Sequence, residues 1–318
     1  MNGTASSISR WTMLLAVPTT WLGVSLAWAL ASPAQPAPAG IVRSLADGIG
    51  SVVLGLAALD WLVGSGDRNR RSLERGTLWR PIAFSAAVWA FAEAVLLLFE
   101  AADVGNGTVS DIGMRRFGEF LAHITAGQVG VATIACTVAI AGYAVFAFRR
   151  SPNASMAPPL ALAALALTFR PITGHMSQQT LGPILGAAHA LAAAVWFGTL
   201  VAMAMMVRSR GAWADLLPRY SEWAWRCVAV LAVSGVINAA VRLGGVGPVL
   251  GTGYGRIVLA KVVALALLLI LGWWWRRTWV RDAAGHRMSA DDSFRRAFIE
   301  IAAMGVAFGL AAALATTA

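Results

Sequence analysis

Nine long apolar runs constrain this chain more than any other feature of its sequence. They lie at residues 11–31, 41–64, 81–102, 117–148, 156–170, 183–207, 221–241, 255–275 and 297–316. Runs of about 20 apolar residues are typical of membrane-spanning helices, because such a helix crosses the hydrocarbon core with its backbone polar groups paired. The sequence therefore predicts an all-α polytopic transmembrane helix bundle of about nine helices, of which the fifth is short.

The composition excludes a large soluble domain. The chain is 58% hydrophobic and 13% charged, whereas soluble domains carry about 25% charged residues. We expect one integral membrane unit in two parts, with four helices in residues 1–155 and five in residues 156–318. The first run can also be interpreted as a cleaved signal, because Ala29-Leu30-Ala31 before Ser32 resembles a cleavage site. Its apolar core is longer than a usual signal core, so a retained helix is favoured over a chain with eight crossings.

The arginines fix the expected orientation. The connections between successive runs, together with the chain ends, alternate between the two sides of the membrane. Seventeen of the 25 basic residues lie on one side and six lie on the other. The positive-inside rule then predicts a cytoplasmic N-terminus and a C-terminus on the outer side of the membrane. This distribution also explains the net charge of +10 without a nucleic-acid partner, so membrane lipid is the partner that the sequence implies.

Three of the four histidines are expected at one depth on the outer side. His123 and His189 each lie about six residues inside an apolar run, and His175 lies in the loop before the run that carries His189. Histidine is the commonest metal ligand, and ionisable groups inside membranes are costly and usually functional. Met176 adds a thioether, which together with imidazole suits copper, especially Cu(I). The sequence thus predicts a copper site of His175, Met176 and His189, with His123 as a further candidate.

Other polar side chains are expected in the outer third of the membrane: Asp47, Glu93, Glu100, Glu119, Asn238 and Lys261. Lipid exposure of these groups would be costly, so we expect most of them inside the bundle. Two interpretations remain open. The carboxylates compensate a bound cation, or Lys261 forms a structural ion pair with Glu93, Glu100 or Asp47. In the same way, Glu119 can pair with His123 at i,i+4, and Asn238 can form an interhelical hydrogen bond.

Several blocks in the second half resemble the copper-resistance D family (CopD/PcoD). They are Thr173-Gly174-His175, the block from His189 through Trp196 and Gly198, Arg219-Tyr220-Ser221, Ser234 through Asn238, Gly253 through Lys261, and Glu300. The resemblance covers about 173–316, and the first 150 residues resemble the family only in helix pattern. It implies a copper protein of the bacterial inner membrane, with import as the usual proposal and His175 and His189 as ligands. Met176 and Thr199 depart from the family pattern.

Three hypotheses follow. The main one is copper binding and transport, in which an extracytoplasmic copper-binding protein would be the donor of copper. The second is a haem-binding cytochrome or oxidase assembly factor, in which His123 and His189 ligate haem axially. The third is a structural membrane protein without metal. The sequence contains no HExxH, Walker A or GxSxG motif, so we expect no enzyme activity, and passage of copper would be downhill or coupled to an ion gradient.

Overall fold

The computed structural model describes residues 16–33, 37–63, 74–173, 181–243 and 247–316, and these ranges are helical without any strand. The helices are α1 (Val17–Ala31), α2 (Ala39–Val63), α3 (Arg75–Val104), α4 (Met114–His123), α5 (Thr125–Arg150), α6 (Ala157–Thr173), α7 (Gly182–Met206), α8 (Arg210–Leu243), α9 (Gly247–Gly251), α10 (Gly253–Trp275), α11 (Arg281–Ala284) and α12 (Ala290–Thr316).

Seven helical segments in the described part are long and apolar enough to cross a membrane. These are α2, α3, α5, α7, α8, α12 and the continuous segment from α10 to α11. Two shorter apolar helices, α1 and α6, account for the first and fifth runs. The all-α multi-pass architecture is therefore confirmed, while the expected total of nine crossings depends on the two shorter helices.

Contacts between helix ends divide the bundle into two sides. Arg219 in the third turn of α8 donates to the carbonyls of Leu62 and Val63 at the end of α2. Arg276 after α10 donates to the Ser221 carbonyl near the start of α8. These ends lie on the side where the arginine-rich connections meet, and we call it the arginine-rich side.

The other ends of the helices contact one another on the opposite side of the bundle. Arg256 at the start of α10 donates to the carbonyls of Leu30 and Ser32 at the end of α1. Arg170 near the end of α6 pairs with Glu100 near the end of α3. We call this the arginine-poor side. This division of the helix ends between two sides is the one expected when successive helices cross in opposite directions. That the arginine-poor side faces the outside of the cell stays a prediction.

Helix α2 lies at the centre and packs against α3, α6, α7 and α12. It approaches α7 so closely that a Cβ at Gly198 would overlap the Ser51 carbonyl, and a Cβ at Gly55 would overlap the Gly198 carbonyl. Small residues permit such backbone contact between membrane helices. Thr199, the departure from the family pattern, is fully buried beside this contact, and its hydroxyl has no hydrogen-bond partner among the described residues.

The fourth apolar run is not a single crossing, which corrects the expectation for residues 117–148. The chain leaves helical geometry at Ile124, with φ −99° and ψ 130°, and α4 and α5 are separate helices. Helix α4 buries Phe120 and exposes Arg115 and Glu119, so it is amphipathic. Only α5 has the length and composition of a membrane crossing. Glu119 lies in the first turn of the run, and Arg115 and Arg116 directly precede it, so this end of the run is less apolar than α5.

Candidate metal site and its charged neighbours

His189 lies two turns inside α7 and presents an imidazole that is fixed by a hydrogen bond to α8. Its Nδ1 is 2.8 Å from the Ser234 Oγ. The same hydroxyl donates its proton to the Val230 carbonyl at 2.6 Å. A serine hydroxyl has one proton, so its oxygen must accept from the imidazole. The network therefore assigns the proton to Nδ1 and leaves the lone pair of Nε2 available, which is the arrangement of a histidine that binds a metal.

The surroundings of this imidazole are polar and only partly satisfied. The ring lies over Gly235, where an added Cβ would be 3.7 Å from the His189 Cε1. Asn238 follows Ser234 by one turn of α8, and its Oδ1 is buried with no hydrogen-bond partner among the described residues. Lys261 on α10 lies within electrostatic range of the His189 ring. A cation that binds at His189 therefore meets the positive charge of this ammonium.

The two loop residues of the predicted site, His175 and Met176, lie outside the described residues. The sequence places them between the end of α6 and the start of α7. The described end of α6 contacts α7 one turn before His189, since a Cβ at Gly186 would lie 3.2 Å from the Pro171 carbonyl. The described end of α6 is therefore one turn of α7 away from His189, and the ligand role of His175 and Met176 stays a prediction.

His123 is not brought together with His189. It is the last residue of α4, its side chain is exposed, and α4 packs against α5 and α3 rather than α7. Glu119 pairs with Arg115 at 2.8 Å, so the open alternative of a pair between Glu119 and His123 is not the one that the structure shows. Within the part of the chain that the structure describes, no group of three or more His, Cys, Asp or Glu side chains lies close enough to hold a metal.

Two carboxylates of α3, Glu93 and Glu100, form ion pairs with Arg170 of α6. Arg170 donates through Nη2 to the Glu93 Oε2 at 2.7 Å and through Nη1 to Glu100. The structural ion pair of Lys261 with Glu93, Glu100 or Asp47, one of the two open interpretations, is therefore not formed among the described residues. The reason is that α6 extends through Pro171 to Thr173 and carries Arg170 into the bundle.

A second ion pair adjoins this one. Arg43 and Asp47 are one turn apart on α2 at 3.7 Å, and Asp47 lies within electrostatic range of Glu93 and Arg170. We call the set Arg43, Asp47, Glu93, Glu100 and Arg170 the acidic cluster. With three carboxylates and two guanidinium groups its formal charge is negative, and it joins α2, α3 and α6 on the arginine-poor side.

Glu300 occupies a separate buried position that the prediction of site residues did not include. It is 8% exposed on α12 and faces Tyr220 and Trp196. The Tyr220 hydroxyl donates to the Trp196 carbonyl at 3.4 Å. These contacts join α7, α8 and α12. Glu300 could have been predicted as a site residue from its match to a glutamate of the family.

Two family models match this chain, and together they cover more of it than the sequence blocks that resemble the copper-resistance D family. The family model described as "Copper resistance protein D-like, N-terminal domain" matches residues 1–183, and the model "Copper resistance protein D" matches residues 214–314. The first match shows that the N-terminal half also carries family sequence, beyond its helix pattern.

A curated relative is similar over part of its length. The copper transport protein CutJ of Bacillus subtilis (strain 168) is 24% identical over 184 residues, which are 54% of this chain and 34% of that protein. The match thus spans about a third of the relative. No solved structure matches the chain. Because the N-terminal family model covers more than half of the chain, the protein belongs to the copper resistance protein D family.

Proposed function

We propose that this protein binds copper on its arginine-poor side and imports it across the bacterial plasma membrane. The observation that carries the proposal is the His189 imidazole, whose Nδ1 proton is held by Ser234 so that the Nε2 lone pair is available. His175 and Met176 complete the ligand set from the adjacent connection. A mixed imidazole and thioether set favours copper over harder cations.

The charges near this side support the capture of a cation. The acidic cluster has more carboxylates than guanidinium groups, and a locally negative region raises the concentration of cations around it. His123, exposed at the end of α4, serves as an entry ligand that transfers copper inward. An extracytoplasmic copper-binding protein would be the donor.

Import is the direction that we propose, because the binding site lies on the side that is expected to face outward. The arginine distribution predicts that the arginine-poor side faces outward, with the N-terminus in the cytoplasm and the C-terminus outside. The relative with the printed name of copper transport protein supports a transport role, and the absence of a nucleotide-binding motif favours a downhill or gradient-coupled passage without enzyme activity.

The test is Cu(I) affinity of the purified protein by competition with a chromophoric chelator, together with copper accumulation in cells. His189→Ala should weaken binding at least about tenfold, because a shell of three or four ligands becomes incomplete. Ser234→Ala should weaken it about 10- to 100-fold, since a partner that orients a ligating histidine contributes that much. Ser234→Thr keeps the hydroxyl and should bind like the unmodified protein.

The control is His286→Ala, because His286 is exposed in the connection before α12 on the arginine-rich side. It should leave binding and accumulation unchanged. If His189→Ala binds Cu(I) as tightly as the unmodified protein, the proposal fails.

A further inference from the structure

Glu300 of α12 is a buried carboxyl group without a basic partner among the described residues. It is 8% exposed, and none of the ion pairs in the described part of the chain includes it. Arg296, one turn earlier on α12, does not pair with it. Glu93, the other buried glutamate of the described residues, contacts the Arg170 guanidinium instead. Because a buried charge without a counter-charge is costly, the two glutamates lie in opposite electrostatic environments.

The helices around Glu300 bring no charge to its carboxyl group. Helix α12 packs against α1, α2, α7, α8 and α10. Among the described residues of these helices, Tyr220 of α8 is the titratable side chain that faces the Glu300 carboxyl. Helix α1 carries no titratable residue, and α7 carries only His189. The charged residues of α2 pair within α2 or with α3, and those of α10, Arg256 and Lys261, do not pair with Glu300.

The hydrogen bonds of Tyr220 favour a proton on Glu300. The Tyr220 hydroxyl donates to the Trp196 carbonyl at 3.4 Å, and it also forms a hydrogen bond with the Glu300 side chain. A phenol has one proton, and a carboxylate can only accept. With the phenol proton directed to the carbonyl, the hydrogen bond between Glu300 and Tyr220 requires a proton on the carboxyl group.

Glu300 also lies beside the face of α7 that carries His189. Its side chain faces Trp196, which follows His189 by two turns on the same face of the helix, about 10 Å along the axis. A cation that leaves His189 along this face of α7 therefore reaches the level of the Glu300 carboxyl. One carboxyl group either holds a proton or compensates a metal cation, and the two states exclude each other.

We propose that Glu300 is a proton-binding site in the path of copper, an inference that rests on the proposed function. The carboxyl group holds a proton in the metal-free protein and releases it when Cu(I) moves from His189 to the level of Trp196. The O–H bond breaks, the proton passes to water, and the carboxylate compensates the charge of the copper, whose oxidation state does not change. Because one carboxyl group cannot serve both cations at once, copper and the proton cross the membrane in opposite directions.

The first experiment determines the protonation of Glu300 without any metal. Infrared spectra of the metal-free, full-length protein in phospholipid nanodiscs at neutral pH should contain the C=O stretching band of a buried, protonated carboxyl group. Glu300→Gln should remove this band, whereas the matched control Glu93→Gln should retain it, since Glu93 lies against Arg170. Tyr220→Phe should shift the band, because the carboxyl group loses a hydrogen-bond partner. A protonated carboxyl band that neither Glu300→Gln nor Tyr220→Phe changes, or the lack of any such band, overturns the proposal.

The second experiment tests the exchange of copper for a proton. Proteoliposomes enclose a pH-sensitive dye, and valinomycin with equal K⁺ on both sides removes any membrane voltage. Cu(I) entry through the unmodified protein should raise the pH of the lumen. Glu300→Gln should slow copper entry at least about tenfold, because an amide cannot compensate a unit charge in a low-dielectric site, and should abolish the pH change. Glu300→Asp should restore part of the pH change, and the exposed control Arg115→Met should behave like the unmodified protein.

The two experiments fail separately. Copper entry without a rise in lumen pH in the unmodified protein, or an equal rise in Glu300→Gln, overturns the exchange. If the unmodified protein admits no Cu(I), the proposed function fails and the exchange fails with it, whereas the infrared result on the Glu300 proton does not depend on copper.

Discussion

Removal of the Arg170 guanidinium should destabilise the protein more than any other single change of a charge on the arginine-poor side. Arg170 is 10% exposed and pairs with Glu93 and Glu100, whose side chains are 3% and 17% exposed. Arg170→Met leaves two enclosed carboxylates without their cation. Breaking a buried pair costs about 3–5 kcal/mol, which corresponds to a melting temperature lower by about 6–15 °C.

The assay is thermal unfolding in detergent, followed by tryptophan fluorescence. Arg115→Met is the matched control, because its pair with Glu119 is 82% and 54% exposed and such pairs contribute less than about 1 kcal/mol. Combining Arg170→Met with Glu93→Gln should recover part of the loss, since one uncompensated charge is removed. Adding Lys261→Met to the Glu93→Gln variant should not raise its melting temperature, because Glu93 pairs with Arg170 rather than with Lys261. A melting temperature of Arg170→Met within about 2 °C of the unmodified protein would refute the reasoning.

The remaining predictions concern packing, topology and the cofactor. Gly198→Val should abolish a folded, monodisperse protein because α2 and α7 touch there, whereas Gly142→Ala, with open space around its Cα, should be neutral by size-exclusion chromatography. His123→Cys should react with an impermeant thiol reagent added to intact cells, and Arg70→Cys should not; the reverse pattern would overturn the orientation. The purified protein, reconstituted with haem in excess and desalted, should show no Soret band, and a stoichiometric band would favour the cytochrome hypothesis.

The fold class could be predicted from the sequence because membrane helices are encoded by local composition. The break at Ile124 could not, since an amphipathic helix followed directly by an apolar one gives a single continuous run. The contact of Gly198 with α2 depends on which helices are neighbours, and periodicity does not determine that.

The candidate site was predicted only in part for a related reason. His189 stands out in the sequence as an ionisable residue in an apolar helix, whereas its partner Ser234 is an ordinary small residue of a membrane helix. The fifth apolar run ends at Arg170, which was counted with the connections, whereas α6 continues past Pro171 to Thr173. The interpretation that pairs Lys261 with Glu93 or Glu100 therefore overlooks Arg170, the cation that both carboxylates contact.

The central claim is that His189 is a copper ligand, and X-ray absorption of the protein loaded with one equivalent of Cu(I) tests it most directly. The account predicts a first shell of imidazole nitrogen and one sulfur, with fewer nitrogen scatterers in His189→Ala and no sulfur in Met176→Ala. A first shell that is the same in His189→Ala as in the unmodified protein would contradict it.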